Sequence, residues 1–179
     1  MFTPRLRFFI IILAVTYGCL RVSQGDRAAW MLLVAAAILF IGHFRNGPIR
    51  PALMALQNGK IEDAKKLVNS IRYPHLLSAQ SRAYYHWIRG LLAAGSPADL
   101  AFAERELQLA IDGSLRTRKD RCLAMASLAE VVAQSNDFTR ANELLDKAVQ
   151  SSPNPTTTDY LNSLRSRFQE AANRGDSTA

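Results

Sequence analysis

Hydrophobic residues in the first 44 positions form unbroken runs; beyond them they form helical stripes. Between Arg7 and Arg21 stands an uncharged run of 13 residues, FFIIILAVTYGCL, and between Arg27 and Arg45 a second of 17, AAWMLLVAAAILFIGHF. As helices they span roughly 20 and 25 Å, against a hydrocarbon core of about 30 Å. The second is long enough once its flanking arginines reach the headgroups, whereas the first is marginal. Neither has a polar face, so neither reads as a surface-lying amphipathic helix. The connector, Arg21 to Arg27, contains the turn pair Gly25-Asp26, which predicts a tight helical hairpin with spans at 8–20 and 28–44.

Three other readings compete with the hairpin. A signal peptide would use Arg5 and Arg7 as its basic region and the first run as its apolar region, with Thr16-Tyr17-Gly18 before Cys19 as a poor lipoprotein box; a second apolar run directly afterwards argues against it. One run could be a buried helix of a soluble core, but two arginine-bounded runs in succession disfavour that. Alternatively, only the longer run spans. For a hairpin, Arg5, Arg7, Arg45, Arg50 and Lys60 lie on one side and only Arg21 and Arg27 on the other, which places both termini in the cytoplasm. Sidedness therefore depends on whether the shorter run crosses. His43 lacks a titratable partner and reads as an interface residue.

From Pro48 onward Ala and Leu are dense, Val and Ile are sparse, and apolar residues recur at helical spacing, which predicts an all-α fold of helices packed on helices. The segments NGKIEDAKKLVNSI, GSPADLAFAERELQLAI and SNDFTRANELLDKAV align on one template. Ala64, Ala103 and Ala141 fall 39 and 38 positions apart, each with a hydrophobe three residues earlier (Ile61, Leu100, Phe138). Val68, Leu107 and Leu145 follow at +4, and Ile71, Ala110 and Ala148 at +7. Offsets of 0, +4 and +7 share a helix face. The small residue lets two backbones approach, and the earlier hydrophobe is expected to plug the turn. Each helix–turn–helix must then stack on its neighbours to bury its stripe.

These residues resemble the tetratricopeptide repeat family. The third unit matches best, through Leu128, Ala129, Val132, Asn136, Asp137, Phe138, Ala141, Leu145, Ala148 and Pro153, with Met125 where the family has an aromatic. The first matches through Leu56, Gly59, Ile61, Ala64, Val68 and Ile71. The middle one departs most: its turn, Gly95 to Leu100, is longer, leaving the register of its first helix (Tyr84, Tyr85, Trp87, Ile88, Gly90) open. After Pro153-Asn-Pro155, Thr156 to Thr158 are expected to cap a last helix carrying Tyr160, Leu164, Phe168 and Ala172, similar to the terminal cap of a solenoid. The expected organisation is an anchor over 1–46, about three repeats over 47–155, a capping helix over 156–173 and a flexible tail over 174–179, in which Arg174-Gly-Asp is a chance tripeptide.

Charge adds one feature. The chain carries 22 basic and 15 acidic residues, +7 in all. From Arg45 onward 18 basic face 14 acidic residues, mostly interleaved as on solvated helix faces. Arg116, Arg118, Lys119 and Arg121, however, crowd a helix start, where positive charge opposes the helix dipole. They suit an acidic segment or anionic lipid; with so small a net charge and no recognition motif, nucleic acid is not expected.

Chemistry is not in evidence. Phosphate loop, serine elbow and metal-ligand spacing are lacking. Cys19 and Cys122 are far apart, His75 and His86 read as ordinary histidines, and Cys122, though beside Arg121, reads as a small packing residue. The expectation is a non-enzymatic protein with no cofactor, no metal and no small-molecule substrate. In the tetratricopeptide family the concave groove, lined by first helices, binds peptide segments. Transferred here, that implies Leu53, Leu56 and Gln57 in the first unit, Tyr85 and Arg89 in the second, and Leu123, Ala126, Glu130, Ala133 and Gln134 in the third.

The function implied is a membrane-anchored scaffold binding a protein or peptide, at a bilayer that is expected to be a bacterial inner membrane with the repeats cytoplasmic. An accessory structural subunit of a larger membrane complex is the alternative, and an enzyme with an unrecognised site the least favoured. The chain also resembles bacterial membrane-anchored repeat proteins that assist envelope assembly, but those with a rubredoxin-like module use Cys-x-x-Cys pairs, which are missing here.

Overall fold

The computed structural model describes Thr16, Trp30, Met31, Val34, 49–151 and 154–176, the last three residues by backbone alone. The chain divides into two compact units, Met1–Gly47 and Pro48–Ala179. In the first, Thr16, Trp30, Met31 and Val34 are helical and exposed; the rest of the expected spans, 8–20 and 28–44, lies outside the described residues. Among the described residues no helix is long and apolar enough to cross a membrane.

Every regular element described in the second unit is helical. Helices α1 (Ile49–Gln57) and α2 (Ile61–Asn69) form one pair, α3 (Ala79–Ala93) and α4 (Leu100–Asp112) a second, and α5 (Arg118–Gln134) and α6 (Phe138–Gln150) a third; α7 (Pro155–Asp176) ends the chain. Single 3₁₀ turns, Pro74–Leu76 and Pro97–Asp99, lead into α3 and α4. Each helix packs on the one before it, α1 also meets α3, and α5 also meets α7. Directions alternate: Cys122 in the first turn of α5 reaches Ala148 at the end of α6, and Gly113, past the end of α4, abuts Ala83 near the start of α3.

Local chemistry explains the helix boundaries. Ser78, Thr117 and Asp137 accept the backbone N–H three residues on, at 3.2, 3.0 and 3.1 Å, and so cap α3, α5 and α6. For α7 the cap is Asn154, whose Oδ1 accepts from the Thr157 N–H at 3.0 Å and from its hydroxyl at 2.6 Å. The expected threonine caps are thus corrected: Thr157 lies inside the helix, after Pro155 has fixed its first φ. The first and third turns each place a left-handed residue two positions before the next hydrophobe: Gly59 at φ 71° and Asn136 at φ 62°. Asparagine tolerates that conformation better than other residues with a side chain. The middle turn is built differently, from Ser96 and the Pro97 3₁₀ turn, which accounts for its extra length.

Two cores hold the unit. The smaller gathers Ile49, Ala52, Val68, Leu77, Tyr85 and Ile88 from α1 to α3. The larger runs from Trp87 through Ala103, Leu107, Leu128, Val132 and Leu145 to Leu161, Leu164 and Phe168 of α7. Ala64, Ala103 and Ala141, the template's small residues, are fully buried, as close helix approach demands. The turn-plug expectation is only partly met: Leu100 and Phe138 pack against the core, but Ile61 is 58% exposed. On α7 the buried stripe is Leu161, Leu164 and Phe168, and Tyr160 sits at its edge, 41% exposed. The helix continues to Asp176, into the segment expected to be tail.

Candidate functional site

Helix α5 is walled in by α4, α6 and α7. Its sequence, rich in Ala, Val and Leu, leaves no broad polar face, and Cys122, Ala124, Ala126, Leu128, Ala129, Val131, Val132 and Ala133 are all buried. Beyond its exposed first turn, α5 keeps Leu123, Met125, Ser127 and Glu130 partly exposed and Gln134 exposed; four of these, Leu123, Ser127, Glu130 and Gln134, fall on one stripe at helical spacing. Of the five residues predicted here, the structure brings Leu123, Glu130 and Gln134 to that stripe. Ala126 and Ala133 are instead packing residues, corrected because they face neighbouring helices. Ser127 was missed; its hydroxyl donates to the Leu123 carbonyl at 2.9 Å. Burial raises the Glu130 carboxyl above the ordinary glutamate range, opposed by the Arg167 charge from α7. Tyr160 is raised as well, by burial first and by Glu130 next.

On α1, Leu53 and Leu56 pack against the smaller core, while Gln57 is exposed beside Met54, which is 52% exposed. On α3, Tyr85 is buried at 7% exposure and belongs to the core, a second correction to the predicted lining. Arg89 is half-buried. Its guanidinium lies 5.4 Å from the Tyr85 ring centroid and 4.8 Å from that of Phe102 on α4, distances at which a cation is attracted to the ring faces.

Arg89 also belongs to a cluster that sequence reasoning missed. Glu106 of α4 is 5% exposed, with His86 Nδ1 2.9 Å and Arg89 Nη 3.6 Å from its Oε2. The expectation that acidic residues lie on solvated faces fails for Glu106, and His86 is its half-buried partner. The signal was present: Glu106 stands three residues after Ala103 and four before Ala110, on the stripe that the template buries. A buried carboxylate without partners would be strongly penalised, and two cationic or protonatable neighbours offset that cost.

The second polar link joins α3 to α5. The Tyr84 hydroxyl donates to Asp120 Oδ2 at 2.5 Å and accepts from the Arg116 N–H at 3.4 Å. Burial first, then Asp120, pushes the Tyr84 hydroxyl up from 10.0 to about 12. A proton held more tightly in the folded state stabilises it below pH 10, and that contribution is lost between about 10 and 12. Asp120→Asn should therefore bring the Tyr84 ionisation closer to 10, read by ultraviolet titration of tyrosinate, and should flatten the loss of stability across that alkaline window.

Arg116, Arg118, Lys119 and Arg121 are all exposed and make no ion pair among the described residues. Cys122 is fully buried, its thiol donating to the Ala148 carbonyl at 3.4 Å, so it serves packing. A cleft of about 460 Å³ between α4 and α6 is lined by Ala101, Glu104, Arg105, Gln108, Leu109 and Arg140, with Arg140 paired to Glu104 at 2.6 Å. Among the described residues no group of three His, Cys, Asp or Glu could hold a metal ion. No known protein family, curated protein or solved structure matches the chain.

Proposed function

We propose that the chain is a membrane-anchored, tetratricopeptide-like scaffold that binds a peptide or protein segment along the solvent-facing stripes of its first helices. The observation that carries this reading is the stripe of α5. Leu123, Ser127 and Glu130 are partly exposed and Gln134 fully so, on one stripe of a helix otherwise largely buried beyond its first turn. Arg89, between Tyr85 and Phe102, and exposed Gln57 on α1 offer further polar contacts. The successive helix pairs with buried alanines fit stacked repeats, α7 fits a cap that closes the last core, and an elongated segment suits such a surface better than a small molecule does.

The anchor reading rests on the two arginine-bounded apolar runs, a hairpin or single span at what we read as a bacterial inner membrane. In the second run, Trp30, Met31 and Val34 are 62%, 76% and 55% exposed. Apolar side chains turned outward in this way suit a lipid environment. Tethering raises the local concentration of the bound segment at the bilayer.

The test is purification of the full chain in mild detergent, with mass-spectrometric identification of co-purifying chains, repeated for Glu130→Lys and Gln134→Lys. Capture that falls at least tenfold in variants with unchanged far-ultraviolet circular dichroism supports the scaffold. Capture that survives both points to the accessory-subunit reading, in which the spans make the contacts.

A further inference from the structure

We propose that the end of the second unit where α1, α3 and α5 begin is a docking face for an anionic lipid bilayer; this rests on the anchored reading above. Because the helices alternate in direction, those three helix starts lie together. They carry six exposed cations: Arg50 in the first turn of α1, Arg82 in that of α3, and Arg116, Arg118, Lys119 and Arg121 at the start of α5. The acidic residues at this end are fewer. Asp120 accepts from the Tyr84 hydroxyl, Asp112 accepts from Gln108 Nε2 at 3.0 Å, and Asp159 is exposed near the start of α7. The first turns at the opposite end hold Glu62 and Asp63 of α2, next to Asp99 before α4 and Asp137 before α6. Exposed Lys60 before α2 and Arg140 in the first turn of α6 offset part of that charge, so the unit carries an excess of cations at one end and is only weakly acidic at the other.

A second, independent observation points to lipid. In the link that leads into α3, Tyr73 and Leu76 are 59% and 54% exposed. An exposed aromatic and an aliphatic side chain among cations are what an interfacial contact uses, the rings entering the headgroup layer while the charges meet phosphates. The cations are also spread over the ends of neighbouring helices, which suits a plane of headgroups more than a single acidic peptide. Four cations at one helix start oppose the helix dipole, a local cost that points to a use outside the fold. Finally, the apolar run 28–44 ends five residues before α1 begins.

The test is amide hydrogen exchange on the full chain in nanodiscs of phosphatidylcholine, alone or with about one third phosphatidylserine. A helix start leaves amides without a carbonyl partner, and of the first three in α5 only that of Asp120 is capped, by Thr117, so lipid contact registers there directly. Residues 116–122 and 72–77 should exchange at least about fivefold more slowly in the anionic discs. The difference should vanish at about 0.5 M salt, where charges are screened within a few ångströms, and in the combined variant Arg116→Gln, Arg118→Gln, Lys119→Gln, Arg121→Gln. Amides 59–63 at the other end should not respond and so control for global stability. Equal exchange in the two kinds of disc overturns the proposal, as does protection that requires added polyglutamate, which would assign the face to an acidic protein. A chain that fails to enter discs at all overturns the anchored reading instead; sedimentation of that chain with anionic but not neutral vesicles would then still support the face.

Discussion

Gly90→Ala should lower the unfolding free energy by about 2 kcal/mol, at the middle of the range for overpacking a tight core. A methyl group built on Gly90 would sit 2.6 Å from Leu107 Cγ and 3.2 Å from the Ala103 carbonyl oxygen. Leu107 is fully buried, so its side chain has little room to retreat, and the oxygen belongs to the α4 backbone. The usual gain of about 1 kcal/mol from replacing a helical glycine by alanine is therefore outweighed. Leu107→Ala alone should cost about 2–5 kcal/mol through the cavity it leaves. In the double variant the new methyl group occupies part of that space, so the combined loss should fall short of the sum by about 1 kcal/mol or more. Chemical denaturation of the four proteins measures the coupling; strict additivity would mean that α3 and α4 are not in contact at Gly90.

Glu106→Ala should cost about 2–3 kcal/mol. Removing one member of a buried pair costs roughly 3–5 kcal/mol when its partners are left fully buried. Here the side chains of His86 and Arg89 are 20% and 35% exposed, so water partly compensates and the lower figure applies. The loss should persist at high salt, since a carboxyl group 5% exposed is poorly screened. Glu106→Gln separates charge from shape: if the cluster acts by hydrogen bonding to His86 alone, glutamine retains most of the stability, whereas a need for the charge of Arg89 leaves it closer to alanine. Urea midpoints at low and high salt decide this, and a loss below 0.5 kcal/mol for Glu106→Ala would show that the cluster contributes little.

The helices from Ile49 onward were legible because spacing controls burial: Ala64, Ala103 and Ala141 mark where backbones come close, and each is fully buried. What spacing could not convey was which polar residue on a buried stripe would be tolerated. Glu106 looks like any charged helix residue beside Arg105, and only the partners His86 and Arg89, about 20 positions earlier on another helix, make its burial possible. The lining of the candidate surface was half legible for a related reason. Family-derived positions assume an open inner face, yet in α5 alanines such as Ala126 and Ala133 let neighbours close over them, so the open surface contracts to the stripe through Glu130. Tyr85 was drawn into the core in the same way. The Asn154 cap was obscured by three consecutive threonines that are equally competent for the role, and Pro155 decides between them.

Tyr84 packs against both cores while its hydroxyl holds the start of α5. One phenol ring thus acts as a rivet through three pairs of helices. The two cores are separate, and this ring is a place where they meet. Parting the two cores would therefore have to break the Tyr84–Asp120 hydrogen bond or the ring's packing against one of them.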